Sequence, residues 1–384
     1  MKTTKSLTQL FVIVLALNLN LIINTLGEPD EHEGEKKEVK EKHICHEICQ
    51  CSQLGVEQCW VNSTTSINKL PSSTHLSIQA DAQTVFPDNC IPKTSLLEIF
   101  SNGAKINDYA WNDSADSLVW LTLNGVQLNN ITASFSYLSK PLHVNIVNST
   151  LNGQSNLQFK NLDTWLIIES SCLTKMPKIT NFQSATKISF FNNSITKIEN
   201  LPNTNSKYEL YLNRNKIKKI ENLPNSIRFL TLHRNNISEI NKMPESLTQL
   251  HLSYNKICQI RNIPFLVVQL VLSSNKIDSI GENSFPANSK LEQLFLFNNS
   301  HPNMQVTATA FKNTPNLKEI YLSGTEFTAP LETFSSLKNL TKLVLGVKYA
   351  DFCERINKKL GKENLCSVKD NIVDTIYNDL GYLY

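Results

Sequence analysis

Apolar and polar positions along this chain fall into one frame that recurs, through its middle, every twenty residues. Leu210, Leu230, Leu250 and Leu270 stand twenty apart. With each taken as position a, the rule is apolar at a−3, a, a+2 and a+7, and Asn at a+5. Asn215, Asn235, Asn255 and Asn275 fill a+5, Ile217, Ile237, Ile257 and Ile277 fill a+7, and Ile220, Ile240, Ile260 and Ile280 follow three residues later. Upstream the frame takes in Ile188 with Phe190, Asn193 and Ile195. Downstream it takes in Leu294 with Leu296 and Asn299, Ile320 with Leu322, and Leu343 with Leu345, at longer spacings. Alternation over a and a+2 predicts a short strand with two apolar side chains on one face. No unit this small buries its own apolar face, so successive units must stack, strand beside strand, over a continuous core. The Asn marks where the chain turns out of the strand, and its amide can pair buried backbone groups there. It is read as structural, not catalytic.

Between strands, segments such as "KKIENLPNS" (218–226) are too short and too proline-marked for a helix, and Pro224, Pro244 and Pro264 share the period. The back of the central units is therefore expected to be extended or turn-like. The later units are longer and carry Phe285, Phe311 and Phe334, which predicts short helical turns outside. Toward the N-terminus the frame blurs. Leu121, Val144 and Leu166 serve as a, with Val126, Ser149 and Ser171 where the Asn should be, and Ile99 is the expected a of "LLEIFSNGAKI". The reading gives roughly twelve strands, or thirteen if "HLSIQ" (75–79) begins the array.

Residues at a and a+2 point into the core, so a−1, a+1 and a+3 point out of the opposite, concave face. There stand Phe191, Glu209, Tyr211, Phe229, His233, His251, Phe295, Phe297 and Tyr321, with Arg214 and Arg234 at a+4 on the rim. A solvent-facing sheet needs no such set for folding. Aromatics with Arg and few lysines are the composition of protein interfaces. In the blurred region Trp120, His143 and Trp165 form a column at a−1, provided the frame holds. His233 and His251 near Glu209 and Tyr211 are the nearest thing to a polar constellation, but a shallow open sheet does not exclude water as acid–base or metal chemistry requires. The chain has no G-x-S-x-G, no H-E-x-x-H and, with 11 glycines, no glycine-rich phosphate loop. The reading is a binding protein, not an enzyme, with no cofactor and no metal.

Composition narrows the setting. Of 384 residues, 41% are hydrophobic and 18% charged, enough for a sizeable core, and the net charge of +3 offers no basic stripe for nucleic acid. Lys2 and Lys5 precede the apolar run "LFVIVLALNLNLII" (10–23), and Thr25 and Gly27 are small, so 1–27 reads as a signal peptide cleaved after Gly27. Asn18 and Asn20 interrupt the run, which is short for a membrane span. Eight N-x-S/T sequons, at Asn62, Asn112, Asn130, Asn148, Asn192, Asn236, Asn298 and Asn339, agree with export and glycosylation. Residues 28–44 are charged and nearly free of apolar side chains, which predicts a solvated tail.

The nine cysteines fit an oxidising compartment. Cys45, Cys49, Cys51 and Cys59 cluster at 45–70, and disulfides there are favoured over a zinc site with His43 and His46. Cys353 and Cys366 flank a helix-like piece in 351–384, where a bridge would close the other end. Cys90, Cys172 and Cys258 leave an odd number. Cys258 is expected to be buried as a small hydrophobe, and Cys90 is the candidate for a bridge to another chain.

The pattern L-x-x-L-x-L-x-x-N-x-I over 71–350, with terminal cysteine clusters, resembles the extracellular leucine-rich repeat family. That resemblance implies an α/β solenoid, a horseshoe with a parallel concave sheet and disulfide caps. It also implies the pairing Cys45–Cys51 and Cys49–Cys59. The chain resembles insect secreted leucine-rich proteins in particular, among them the leucine-rich immune proteins of mosquitoes. This implies a secreted scaffold for an extracellular protein partner, in innate immunity. It departs from their better-known members in lacking a heptad-patterned coiled coil after the repeats. The alternatives are an adhesion or matrix ligand in development and a secreted or salivary inhibitor of a target protein.

Overall fold

The computed structural model describes residues 48–369, apart from 52–54, 63–66, 141, 155–156, 160–161, 180–181, 183–185 and 300–302. One sheet of sixteen strands runs through them in sequence order. It opens with the antiparallel pair Cys49–Cys51 and Val56–Val61, and every later neighbour is parallel. Thirteen strands, from His75–Ala80 to Lys342–Leu345, lie between that pair and the final strand, Cys366–Val368. The array therefore begins at "HLSIQ". This is the leucine-rich repeat horseshoe, whose strands line the concave side.

Strand register follows the leucine frame. Leu210 pairs with Leu230, Leu230 with Leu250, Leu250 with Leu270 and Leu270 with Leu294. Upstream, Ile188 pairs with Leu166, Leu166 with Val144, and Val144 with Leu121. One expectation is corrected, because Leu97, not Ile99, stands opposite Leu121. The slip is two residues, and since strand side chains alternate with period two, no residue changes face. Several units break the a−3 rule, with Thr94 there before Leu97 and Asp163 before Leu166. Lys207 occupies that position before Leu210, and buried Tyr208 fills the gap one residue later, across a register shift against Ile227.

The apolar positions form one continuous core from Cys49 to Cys366. Along its edge runs the asparagine ladder. Asn215 Oδ1 accepts from Ile195 N–H at 2.9 Å, Asn235 Oδ1 from Ile217 at 3.0 Å, and Asn255 Oδ1 from Ile237 at 3.0 Å. Where serine replaces asparagine the ladder continues. Ser149 Oγ accepts from Val126 N–H and Ser171 Oγ from Ser149 N–H, and Thr325 Oγ1 does the same for Asn299.

The back of the central units carries no helix or strand from 212 to 226 or from 232 to 248, as expected. Elsewhere it departs from expectation. Instead of helical turns, the later units pair short strands, Ser279–Ile280, Met304–Val306 and Phe327–Thr328, and only Glu332–Ser335 is helical. Phe285, Phe311 and Phe334 still stack inside, with centroids about 6 Å apart. The ends are closed by Cys49–Cys59 and Cys353–Cys366, with S–S 2.07 and 2.08 Å. Cys45, and with it the Cys45–Cys51 pairing, lies outside the described residues, as do the signal segment and charged tail. The helix-like piece is an 11-residue helix, Ala350–Leu360, stopped by Gly361 in the left-handed region.

Position a+4 is left-handed in ten consecutive units, and Gly125 fills it in the first of them with φ +71°. A Cβ there would lie 2.0 Å from the Ser101 carbonyl oxygen. Gly125→Ala is expected to cost about 2 kcal/mol, combining left-handed strain with a backbone clash. Gly281→Ala, where a Cβ would meet nothing within 4 Å, should leave the urea midpoint near that of the parent.

Candidate partner-binding face

Because a and a+2 face the core, a−1, a+1 and a+3 line up across the strands on the other side of the sheet. Glu209 pairs with Phe229, Phe229 with Gln249, and Tyr211 with Thr231. Thr231 pairs with His251, His251 with Val271, Val271 with Phe295, and Phe295 with Tyr321. The expected face is real as a geometric set, but its accessibility differs from expectation. Phe229 and His251 are 5% and 4% exposed, and Phe295, Phe297 and Tyr321 are also buried. The reason is lateral packing. Side chains one strand apart on a concave surface crowd their neighbours, so each ring is covered by the next. Phe295 and Tyr321 stack at 4.6 Å and 6°, and with Phe297, Val271 and Val344 they form a second apolar cluster, separate from the core.

The same crowding joins the central rings. Tyr211 and Phe229 lie 5.1 Å apart, and Phe229 and His251 5.3 Å. The Tyr211 hydroxyl donates to Glu209 Oε2 at 2.8 Å, and Arg228 holds Glu209 Oε1 at 2.9 Å. His251 Nε2 donates to Gln269 Oε1 at 2.8 Å, and Gln269 Nε2 to Gln293 Oε1 at 2.8 Å. Burial pulls the His251 pKa down to about 4, with the Gln269 hydrogen bond opposing. The imidazole is therefore neutral and committed to a polar ladder. Lys187 and Lys342, absent from the sequence reading, sit over the Tyr211 and Tyr321 rings at 4.8 and 5.1 Å. Both occupy a−1, so the frame alone could have found them.

Upstream, the Trp120, His143 and Trp165 column holds. Trp120 pairs with His143 in register, and the three centroids lie 5.1 to 5.2 Å from one another. All three rings are half-buried and keep solvent-facing surface. Trp120 Nε1 donates to Thr122 Oγ1 at 3.0 Å. His143 is held between Asp163 Oδ2 at 3.2 Å and Thr164 Oγ1 at 2.8 Å. Burial lowers its pKa, with Asp163 opposing.

The rim is the row of left-handed a+4 residues. In order these are Gly125, Asn148, Ser170, Asn192, Arg214, Arg234, Tyr254, Ser274, Asn298 and Gly324, all with φ between +50° and +71°. Arg214 lies over the half-buried Phe191 ring at 5.5 Å, and Arg234 over Tyr254 at 5.0 Å. His233 contacts Tyr254 edge-on at 4.9 Å. Burial brings the His233 pKa to about 4, helped by the Arg234 and Arg214 charges and His251.

Among the described residues no three His, Cys, Asp or Glu side chains converge as metal ligands, and no helix is long and apolar enough to cross a membrane. Seven sequon asparagines are exposed. Asn130 is half-buried and caps the helix Ile131–Ser136, its Oδ1 accepting from Ala133 N–H. Among the odd cysteines, Cys258 corrects expectation, since it is not buried. Cys258 and Cys172 are exposed, whereas Cys90 packs against the core and burial pushes its thiol up to about 12. Cys258 follows the inward Ile257, so its own side chain faces out.

No protein-family profile matches this chain, and no curated protein matches it. Solved structures do. The LRIM1/APL1C complex is similar at 12% identity over 87% of this chain and 73% of that one, with a TM-score of 0.52, which shows the fold. YopM from Yersinia enterocolitica WA-314 is similar at 19% identity and a TM-score of 0.47 over 72% of this chain, which spans 62% of YopM. An internalin from Listeria monocytogenes str. 4b F2365 is similar at 18% identity, covering 75% of this chain and 86% of that one, with a TM-score of 0.43.

Proposed function

We propose that this chain is a secreted, non-enzymatic scaffold that holds a partner protein against the concave face of its sheet. The observation that carries this reading is the Trp120–His143–Trp165 knot. Three rings stand half-exposed on the concave side of the sheet, and Trp is among the residues most enriched as interface anchors. The strands from His75–Ala80 to Lys342–Leu345 span roughly 60 Å at about 4.8 Å each, room for a standard interface of about 800 Å² per partner. The half-exposed Phe191, Glu209, Tyr211, Arg214 and His233, with exposed Arg234, extend the surface beyond the knot. The buried Phe229, His251, Phe295, Phe297 and Tyr321 stiffen it from beneath. Secretion is supported by the N-terminal apolar segment, the sequons and two disulfides. A place in innate immunity rests on the resemblance to leucine-rich immune proteins, and induction of the transcript on infection tests it. With their thiols exposed, Cys172 and Cys258 are better placed than Cys90 for a bridge to another chain.

The test is affinity capture from the native extracellular fluid with Trp120→Ala/Trp165→Ala. Its control is Lys175→Ala/Lys178→Ala, outside the main sheet. The first should recover at least tenfold less partner at an unchanged secretion level, and the second as much as the parent. Equal capture by both variants refutes the concave assignment.

A further inference from the structure

We infer that the Arg214–Arg234 stretch of the rim is a docking site for a carboxylate-bearing peptide segment of the partner. This deepens the proposed reading and rests on it. In seven of the ten left-handed a+4 positions the chain uses Gly, Asn or Ser, which tolerate positive φ or are small. In three adjacent units it uses Arg, Arg and Tyr instead, at φ +53°, +55° and +53°. Bulky side chains in this region are strained, and strain of this kind collects where side chains are needed for function.

What the strained residues offer is specific. The two guanidiniums belong to neighbouring units and turn apart along the row, Arg214 back onto Phe191 of the preceding unit and Arg234 forward onto Tyr254 of the following one. Each lies against an aromatic ring, which fixes its plane and leaves its N–H edge to pair bidentately with a carboxylate. Arg228 and Arg261 already hold Glu209 and Glu239. Among the described residues, neither Arg214 nor Arg234 has a carboxylate partner. With a ring behind each guanidinium and no carboxylate partner among the described residues, the two arginines leave this part of the rim locally positive. A peptide with acidic side chains a few residues apart matches that charge.

The test is fluorescence anisotropy with the full chain and a labelled octapeptide carrying four glutamates, against its glutamine counterpart. Arg214→Asn/Arg234→Asn keeps a residue suited to positive φ. It should weaken binding at least tenfold while the thermal midpoint stays level or rises, so lost binding is not lost folding. Lys218→Gln/Lys219→Gln removes the same charge elsewhere and should bind as the parent does. Equal binding of the glutamine peptide, full binding by the arginine double variant, or displacement of the peptide by a heparin oligosaccharide at lower concentration than by free peptide each overturns the inference. Trp120→Ala/Trp165→Ala should bind the peptide normally. If no peptide binds yet that variant still loses captured partner, only this inference falls. If the peptide binds but capture survives the tryptophan changes, the wider reading falls.

Discussion

Asn235→Ala is expected to lower the stability of the chain by about 3 kcal/mol, although the side chain touches nothing outside the core edge. Asn235 is 6% exposed. Its Oδ1 is the acceptor for Ile217 N–H, and its Nδ2 donates to Leu212 O at 2.9 Å and Leu232 O at 3.0 Å. Alanine leaves the Ile217 donor unpaired in a dry site, which costs about 1–3 kcal/mol. The two carbonyls lose less, because Asn215 also donates to Leu212 O at 3.2 Å and Asn255 to Leu232 O at 3.0 Å. The cavity adds the remainder. Asn235→Asp should be worse at neutral pH, since a carboxylate would face two carbonyl oxygens that need a donor. Burial and those oxygens would raise the carboxyl pKa in the folded state. The added deficit should therefore grow as pH rises through the unfolded value of about 3.9 and shrink below it. Urea titration at pH 7 measures both variants, and a midpoint for Asn235→Ala equal to the parent's would refute the ladder's role.

That the ladder was legible in the sequence while the face was not has one physical cause. Core positions obey a rule that every unit must repeat, so Leu210 and its successors announce their direction. The same rule placed Trp120, His143 and Trp165 on one face even where Val126, Ser149 and Ser171 replace the asparagine. The frame was misplaced only at Ile99, by two residues, a slip to which facing is blind. Outward position, however, was equated with exposure. The frame says that Phe229, His251, Phe295 and Tyr321 leave the core. It does not say how large their lateral neighbours are, and these rings stand side by side and cover one another. Cys258 failed for the opposite reason, since it borders a core residue in sequence and faces away from it in space. The positive φ of Arg214 and Arg234 was also out of reach, because a+4 carries Gly or Asn often enough to suggest a turn but not to show that arginine adopts it too.

The buried histidines make a second large effect, a loss of stability in mild acid. Burial holds His251 and His233 at about 4 in the folded chain, against about 6.5 when unfolded. Between those values the unfolded chain binds more protons, so stability rises with pH across the window. The neutral-form advantage is fully present above pH 6.5 and is lost progressively as pH falls toward 4. For His251, the more deeply buried, the loss approaches about 3 kcal/mol at pH 4. Its proton would also stand near His233, which adds repulsion when both imidazoles are charged and which salt relieves only in part. His251→Gln removes the titrating group while keeping a side chain able to donate to Gln269. The parent's urea midpoint should drop steeply between pH 7 and pH 4.5, and the variant's drop should be shallower by roughly 2 kcal/mol. Parallel curves for the two proteins would mean that His251 is no longer buried neutral in solution, and with it would go the close lateral packing of Phe229 and its neighbours on the concave face.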